Sequence, residues 1–299
     1  MSMHEDQLRL DADVAAELVR SQFDATAGEV RPLRTAATTS HVFRVGDDHL
    51  ARFPMRNGDP VECARELALE QEAMDEFAQA SPFPSPRMVF IGRPTAGYPM
   101  PWSVQTWVPG EVMTPDSMSS SSLVARDLAR LVGDLRRVDV RGRSFSGAGR
   151  GGELRAHDEW IAVCLARSES LLPVARLREA WRALRATPRR EPDVMSHKDL
   201  TPFNLIAGEG LAGVLDTGGF GPADPALDLV AGWHVLDAQR RREFREAVRP
   251  GEAEWRRGIG WALQQALGLV WYYAETNPAM SALGRSTIDR ILASDEVDT

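Results

Sequence analysis

The sequence predicts an α+β protein, with strands gathered in its first third and helices filling the rest. Three observations carry that expectation. Between residues 31 and 108, short runs of β-branched and aromatic side chains alternate with Gly, Pro, Asp and Ser clusters. From residue 123 onward, long stretches place apolar residues three and four positions apart. The 299 residues are enough for two lobes with separate cores, and a boundary near Gly110 divides them into 1–109 and 110–299.

Taken in order, residues 7–23 space Leu8, Leu10, Val14, Leu18 and Val19 as an amphipathic helix, with Asp11 or Asp13 as its cap. A small-residue bend at 35–40 leads into a strand at 42–45, a Gly-Asp-Asp turn at 46–48 and a second strand at 50–53. Pro60–Ala80 carries Leu67, Ala68, Met74 and Phe77 on one helical stripe. Strand-like segments at 87–91 and 102–108 flank a turn-rich stretch. A serine-rich linker and cap at 117–122 opens a helix at 123–138. Residues 141–152, rich in Gly, Ser and Arg, read as a mobile surface loop. Helices follow at 153–170, 176–186, 225–236, 238–248, 252–274 and 277–293, the first of the last four capped by Asp224.

Composition narrows the function classes. The apolar fraction is 43% and the charged fraction 26%, as in ordinary globular proteins. No apolar run reaches the length of a membrane span, and the polar, acidic first residues do not read as a secretory signal. Two distant cysteines, Cys63 and Cys164, point to free thiols and a cytoplasmic location. A net charge of −8 argues against a nucleic-acid binder and is compatible with a cationic small-molecule partner. No protein partner is evident. Lys198 is the chain's single lysine.

The chemistry concentrates in residues 196–230, where Asp199, Asn204 and Asp216 stand in the order His-x-Asp-x-x-x-x-Asn, apolar hairpin, Asp. Pro202 keeps the loop from becoming a helix. Two apolar segments around the turn at 208–210 form a hairpin whose ends carry Asn204 and Asp216, bringing the two together. An amide oxygen and a carboxylate side by side suit Mg²⁺, and Asp199 is left as a proton acceptor. Asp228 and His197 read as supports that hold Asp199 in place.

These residues resemble known motifs. HKDLTPFNLI, GVLDTGG and GPADPALDLV, in this order and spacing, resemble the aminoglycoside phosphotransferase family, whose fold is that of protein kinases. The resemblance runs from about Arg31 to the C-terminus. It implies a small N-terminal nucleotide-binding lobe, an antiparallel sheet plus a helix, and a larger, mostly helical catalytic and acceptor-binding lobe. It implies Mg²⁺-dependent transfer of the γ-phosphoryl of ATP or GTP to a hydroxyl of a small molecule, first of all an aminoglycoside antibiotic, hence an antibiotic-resistance kinase. The alternatives are a macrolide or metabolite kinase and a catalytically silent nucleotide-binding module.

In that reading Asp199 is the catalytic base, and Asn204 and Asp216 hold the metal. Arg52 stands where the family carries its phosphate-binding cation. Glu70 and Glu72 are candidates to align it, the register favouring Glu72. The bend ending at Ser40 covers the phosphates, and Gln105, Trp107 and Val108 lie on the connector that meets the adenine. Asp158, Glu159 and Glu275 are the acidic side chains offered to a cationic acceptor. Lys198 and Thr217 depart from the family pattern, standing where a small residue and an aromatic are usual.

Overall fold

The computed structural model describes residues 8–33, 39–147 and 149–296, and all that follows concerns these. Contacts divide the chain into two compact units. The first comprises the chain up to Gln79, Pro84–Pro109 and Thr217–Gly219; the second comprises Ala80–Phe83, Gly110–Asp216 and the chain from Phe220 onward.

The first unit holds α1 (Ala12–Gln22), α2 (Pro60–Ala80) and an antiparallel sheet of order β1-β2-β3-β5-β4. Its strands are β1 (Val30–Pro32), β2 (Ser40–Val45), β3 (His49–Pro54), β4 (Met88–Gly92) and β5 (Trp102–Thr106). The β2–β3 hairpin pairs Val45 with His49 and Val42 with Arg52. Strand alternation then sends Ala51 and Phe53 into the core and Arg52 to the opposite face. Phe53 is the centre of that core. It stacks on Trp102 at 4.8 Å and meets Phe43 and Tyr98 edge-on at 5.7 and 5.4 Å. α2 spans the predicted range and buries Leu67, Met74 and Phe77. Of the bend expected at 35–40, residues 35–38 lie outside the described residues, and Ser40 opens β2.

The second unit is mostly helical. It contains α3 (Ser122–Arg136), α4 (Asp158–Arg167), α5 (Val174–Leu184), α6 (Val230–His234), α7 (Ala238–Val248), α8 (Glu252–Tyr272) and α9 (Pro278–Leu292). Ser121 caps α3 by accepting the Val124 N–H at 3.3 Å, and Asn277 does the same for α9 with Met280. The aromatic stripe of α8 is largely core, with Trp255 and Trp261 fully buried. Two small sheets sit among the helices. One pairs β6 (Glu111–Val112), β8 (Leu205–Ala207) and β9 (Leu211–Val214); the other pairs β7 (Val194–Ser196) with β10 (Gly221–Ala223). Strands of two or three residues such as β6, β7 and β10 are too short to leave a periodic signal. No described helix is long and apolar enough to cross a membrane.

Three expectations are corrected. The helix expected over 225–236 opens as a 3₁₀ turn, Leu227–Leu229, before α6. There Asp224 draws the Ala226 and Leu227 N–H groups onto its own side chain and carbonyl. The helix expected over 153–170 likewise opens as a 3₁₀ turn, Leu154–His157. Among the described residues of 141–152, expected as a mobile loop, two are tethered. Phe145 N–H donates to Asp193 at 2.6 Å, and Gly151 C=O accepts from Asp224 N–H at 2.7 Å. Gly151 is buried at φ 123°, and a Cβ there would lie 2.9 Å from that of Ala223.

Asp224 is a buried node of this unit. Its carboxylate receives a bidentate fork from Arg257 at 3.0 Å and the indole N–H of Trp261 at 3.0 Å. Arg257 also donates to Glu191 at 2.7 Å and to Pro188 C=O at 2.9 Å. Burial works against its charge, but these acceptors prevail and raise its pKa above the ordinary arginine value. Asp224→Ala leaves that guanidinium buried without its main counter-charge. The substitution is expected to destabilise the protein by about 3–5 kcal/mol, read as a lowered midpoint in denaturant unfolding.

Candidate active site

The site is built on the turn that leaves β7. Ser196 pairs with Gly221 of β10, which fixes where the loop begins. Asp228 then gathers the next residues onto one buried carboxylate. Its Oδ1 accepts from Ser196 Oγ at 2.8 Å and Lys198 N–H at 3.0 Å, and its Oδ2 from His197 N–H at 3.0 Å. The grip holds Lys198 at φ 72°, a left-handed conformation that costs a non-glycine residue about 1–2 kcal/mol. This is the physical reason a small residue suits the position. Burial lowers the Lys198 pKa, with Asp228 and Asp193 opposing that shift.

His197 links the two halves of the motif. Asp199 N–H donates to Nδ1 at 3.3 Å, so Nδ1 is the acceptor nitrogen and Nε2 carries the proton. Nε2 lies 2.8 Å from Leu215 C=O and donates to it. Leu215 N–H in turn donates to Asn204 C=O at 2.8 Å. The residue before Asp216 is thus pinned from both sides of its backbone, and Asp216 follows at φ 55°. Because Leu205 pairs with Val214, Asn204 and Asp216 stand at the same end of the β8–β9 hairpin.

Asn204 Nδ2 donates to Asp199 C=O at 2.8 Å and to Asp199 Oδ2 at 3.0 Å. Both partners are acceptors, so the amide orientation is fixed and Oδ1 is presented as an oxygen donor. An amide oxygen and the Asp216 carboxylate fit a hard divalent cation that completes its shell with phosphate and water. Among the described residues no cluster of three or more His, Cys, Asp or Glu forms a self-sufficient metal cage.

One residue of the site escaped the sequence reading. Arg150 donates to Asp199 Oδ1 at 2.8 Å. Nothing in a Gly- and Arg-rich stretch distinguishes this arginine from its neighbours. Its selection follows from the anchoring of Gly151 to Asp224, which no local pattern encodes.

In the first unit, Arg52 Nη1 meets Glu70 Oε1 at 3.2 Å. This corrects the choice of Glu72, which lies two residues on, about 200° around α2, and is exposed. Gly218 adds the reason for its own identity: a Cβ there would fall 2.2 Å from Glu70 Cγ. Thr217 is fully buried, and its hydroxyl has no hydrogen-bond partner among the described residues. Gln105 lies inside β5 between Leu50 and Met88 and is 4% exposed. Trp107 N–H is committed to Asp48 C=O at 2.7 Å, and the Arg44 guanidinium covers its ring at 3.9 Å. The Gln105 backbone and the Trp107 N–H are therefore taken up by the sheet rather than open to a base edge, while Gln105 Nε2 is buried with no hydrogen-bond partner among the described residues. Val108 follows beyond the last residue of β5 and is buried.

The acidic acceptor candidates are placed differently from one another. Asp158 is already engaged: Trp181 donates its indole N–H to it at 2.8 Å, and Arg185 pairs with it at 3.0 Å. Both side chains of that ion pair stay partly exposed, and Arg185 competes with a cationic acceptor for the carboxylate. Glu159 and Glu275 are exposed. Near them in sequence, aromatic side chains come together, with Trp160 and Trp271 at 6.1 Å and Trp271 and Tyr272 at 5.6 Å.

No curated protein sequence matches the chain. Solved structures do. It is similar to the GDP complex of an aminoglycoside 2'-phosphotransferase-IIIa, at TM-score 0.68 and 16% identity over 95% of this chain and 99% of the other. It is also similar to a macrolide 2'-phosphotransferase from Brachybacterium faecium, at TM-score 0.61 and 19% identity over 93% and 98%. A gentamicin complex of an aminoglycoside 2''-phosphotransferase-IIa matches at TM-score 0.61 and 16% identity, over 97% and 98%. At these identities the likeness establishes a kinase-like fold. The family model described as "Phosphotransferase enzyme family" matches residues 29–262, and the chain belongs to that family.

Proposed function

We propose that the protein is a Mg²⁺-dependent small-molecule kinase that moves the γ-phosphoryl group of ATP or GTP to an acceptor hydroxyl. The observation that carries this reading is the hold of Asn204 on Asp199, with Asn204 Oδ1 and Asp216 at one end of a hairpin. Asp199 accepts the hydroxyl proton. The acceptor oxygen forms its bond to the γ-phosphorus, the bond from that phosphorus to the β,γ-bridging oxygen breaks, and the nucleoside diphosphate leaves with the electron pair. Asn204 and Asp216 would hold Mg²⁺, whose chemistry is neutralisation of phosphate charge. Arg52, aligned by Glu70, binds phosphate oxygens, which a planar fork does better than an ammonium. Residues 1–109 then act mainly on the nucleotide and 110–299 on catalysis and the acceptor, with Val108 the remaining base-edge candidate.

An aminoglycoside is the first acceptor class to test, on the likeness to aminoglycoside phosphotransferases. A macrolide is the second, and a specific observation favours it. Asp158 is paired with Arg185 while Trp160, Trp271 and Tyr272 come together with exposed ring surface, offering apolar contact beside that paired charge.

The deciding experiment incubates the protein with Mg²⁺, ATP or GTP, and panels of both antibiotic classes. The expected result is an acceptor mass increase of one phosphoryl group, lost in Asp199→Asn while nucleotide still binds. Near-normal rates in that variant would remove Asp199 as base. Glu70→Gln is expected to raise the nucleotide KM about tenfold, whereas Glu72→Gln leaves it within about twofold; steady-state kinetics of the pair of variants decides between the two glutamates.

A further inference from the structure

We propose that Arg150 is a positioning residue for phosphoryl transfer, holding the Asp199 carboxylate and supplying the positive charge beside which that carboxylate can face an incoming phosphate. The inference rests on the kinase reading above and adds to it a residue outside the family motifs.

Three independent observations carry it. First, the two oxygens of Asp199 are held by different partners, Oδ1 by Arg150 at 2.8 Å and Oδ2 by Asn204 at 3.0 Å. Asn204 alone leaves the carboxylate free to turn about its last bond; two donors on opposite oxygens fix its plane. Second, the arginine is delivered on purpose-built backbone. Gly151 C=O is tied to Asp224 N–H at 2.7 Å, and its left-handed φ of 123° and the closeness of Ala223 exclude a side chain there. Asp224 is itself locked to Arg257 and Trp261. The placement of Arg150 thus follows from a buried node held by several donors. Third, Arg150 and Asp199 keep 36% and 34% of their side-chain surface exposed. A guanidinium has five N–H donors, and Arg150 makes no other hydrogen bond among the described residues. The remaining donors are available to phosphate oxygens.

The chemistry requires such a group. A carboxylate that must accept a proton close to a triphosphate faces like charge, and a cation between them removes the repulsion. Loss of one charged donor at a transfer site costs about 10²–10³-fold in rate, so Arg150→Ala should lower kcat by about 10²-fold or more with nucleotide KM within about threefold. Arg150→Lys should recover part of the rate, and free guanidinium ion should partly rescue Arg150→Ala. Arg141→Ala, in the same loop with an exposed side chain, should behave as wild type.

Turnover is measured as transfer to the acceptor found in the panel, or to water if none is found. Unchanged kcat in Arg150→Ala overturns the proposal, as does a raised kcat, which would make the arginine a block on the base. A fall matched by Arg150→Lys with no guanidinium rescue also overturns it, since that pattern belongs to lost loop packing. An active Asp199→Asn or an inactive wild type overturns the kinase reading itself. A dead Asp199→Asn beside a normal Arg150→Ala removes only this inference.

Discussion

The site depends on one buried carboxylate that belongs to no reacting group. Asp228, 3% exposed, takes three donors from consecutive residues, Ser196, His197 and Lys198. With those positions fixed, His197 has one available orientation, and its two ring nitrogens divide between Asp199 N–H and Leu215 C=O. The same imidazole therefore sets the start of the loop that bears Asp199 and the approach to Asp216. Removing one partner from such a network strands the others in a low-dielectric interior, which makes it rigid.

A second node of the same kind lies a few residues upstream in the chain. Asp224 locks Arg257 and Trp261 and, through its N–H, holds Gly151. The motif GPADPALDLV thus carries two buried aspartates with separate tasks. Asp228 aims the loop that bears Asp199, and Asp224 aims the segment that bears Arg150. The two groups that meet at Asp199 Oδ1 arrive from opposite ends of one short stretch of anchoring residues.

What was legible in the sequence follows from the range of the forces involved. The hairpin after Asn204, the extent of α2 and α7 and the paired strands around 46–48 were readable, because periodicity and turn residues are local. The choice between Glu70 and Glu72 was not. Both lie on α2 about 200° apart, and which face turns to Arg52 is set by packing of the helix against the sheet, while Gly218, far along the chain, leaves the space that Glu70 fills. Asp158 looked free because Trp181 and Arg185, on and just after α5, give no sign in sequence of where they point. Arg150 was invisible for the same reason. The tethering of Phe145 and Gly151 rests on Asp193 and Asp224, partners more than forty residues away.

The near-absence of lysine acquires a physical sense from these contacts. Where a positive charge is paired in a buried or half-buried setting, as in Arg52 with Glu70, Arg150 with Asp199 and Arg257 with Asp224, the residue is arginine. A guanidinium keeps its charge under desolvation and offers a planar fork that engages both oxygens of a carboxylate or phosphate. Burial of an ammonium pushes its pKa down, and it does so at Lys198, with Asp228 and Asp193 opposing the shift. Lys198 is also the residue whose backbone is held left-handed by Asp228. Its position is set by that backbone grip rather than by its charge, which leaves charge neutralisation at the base to Arg150.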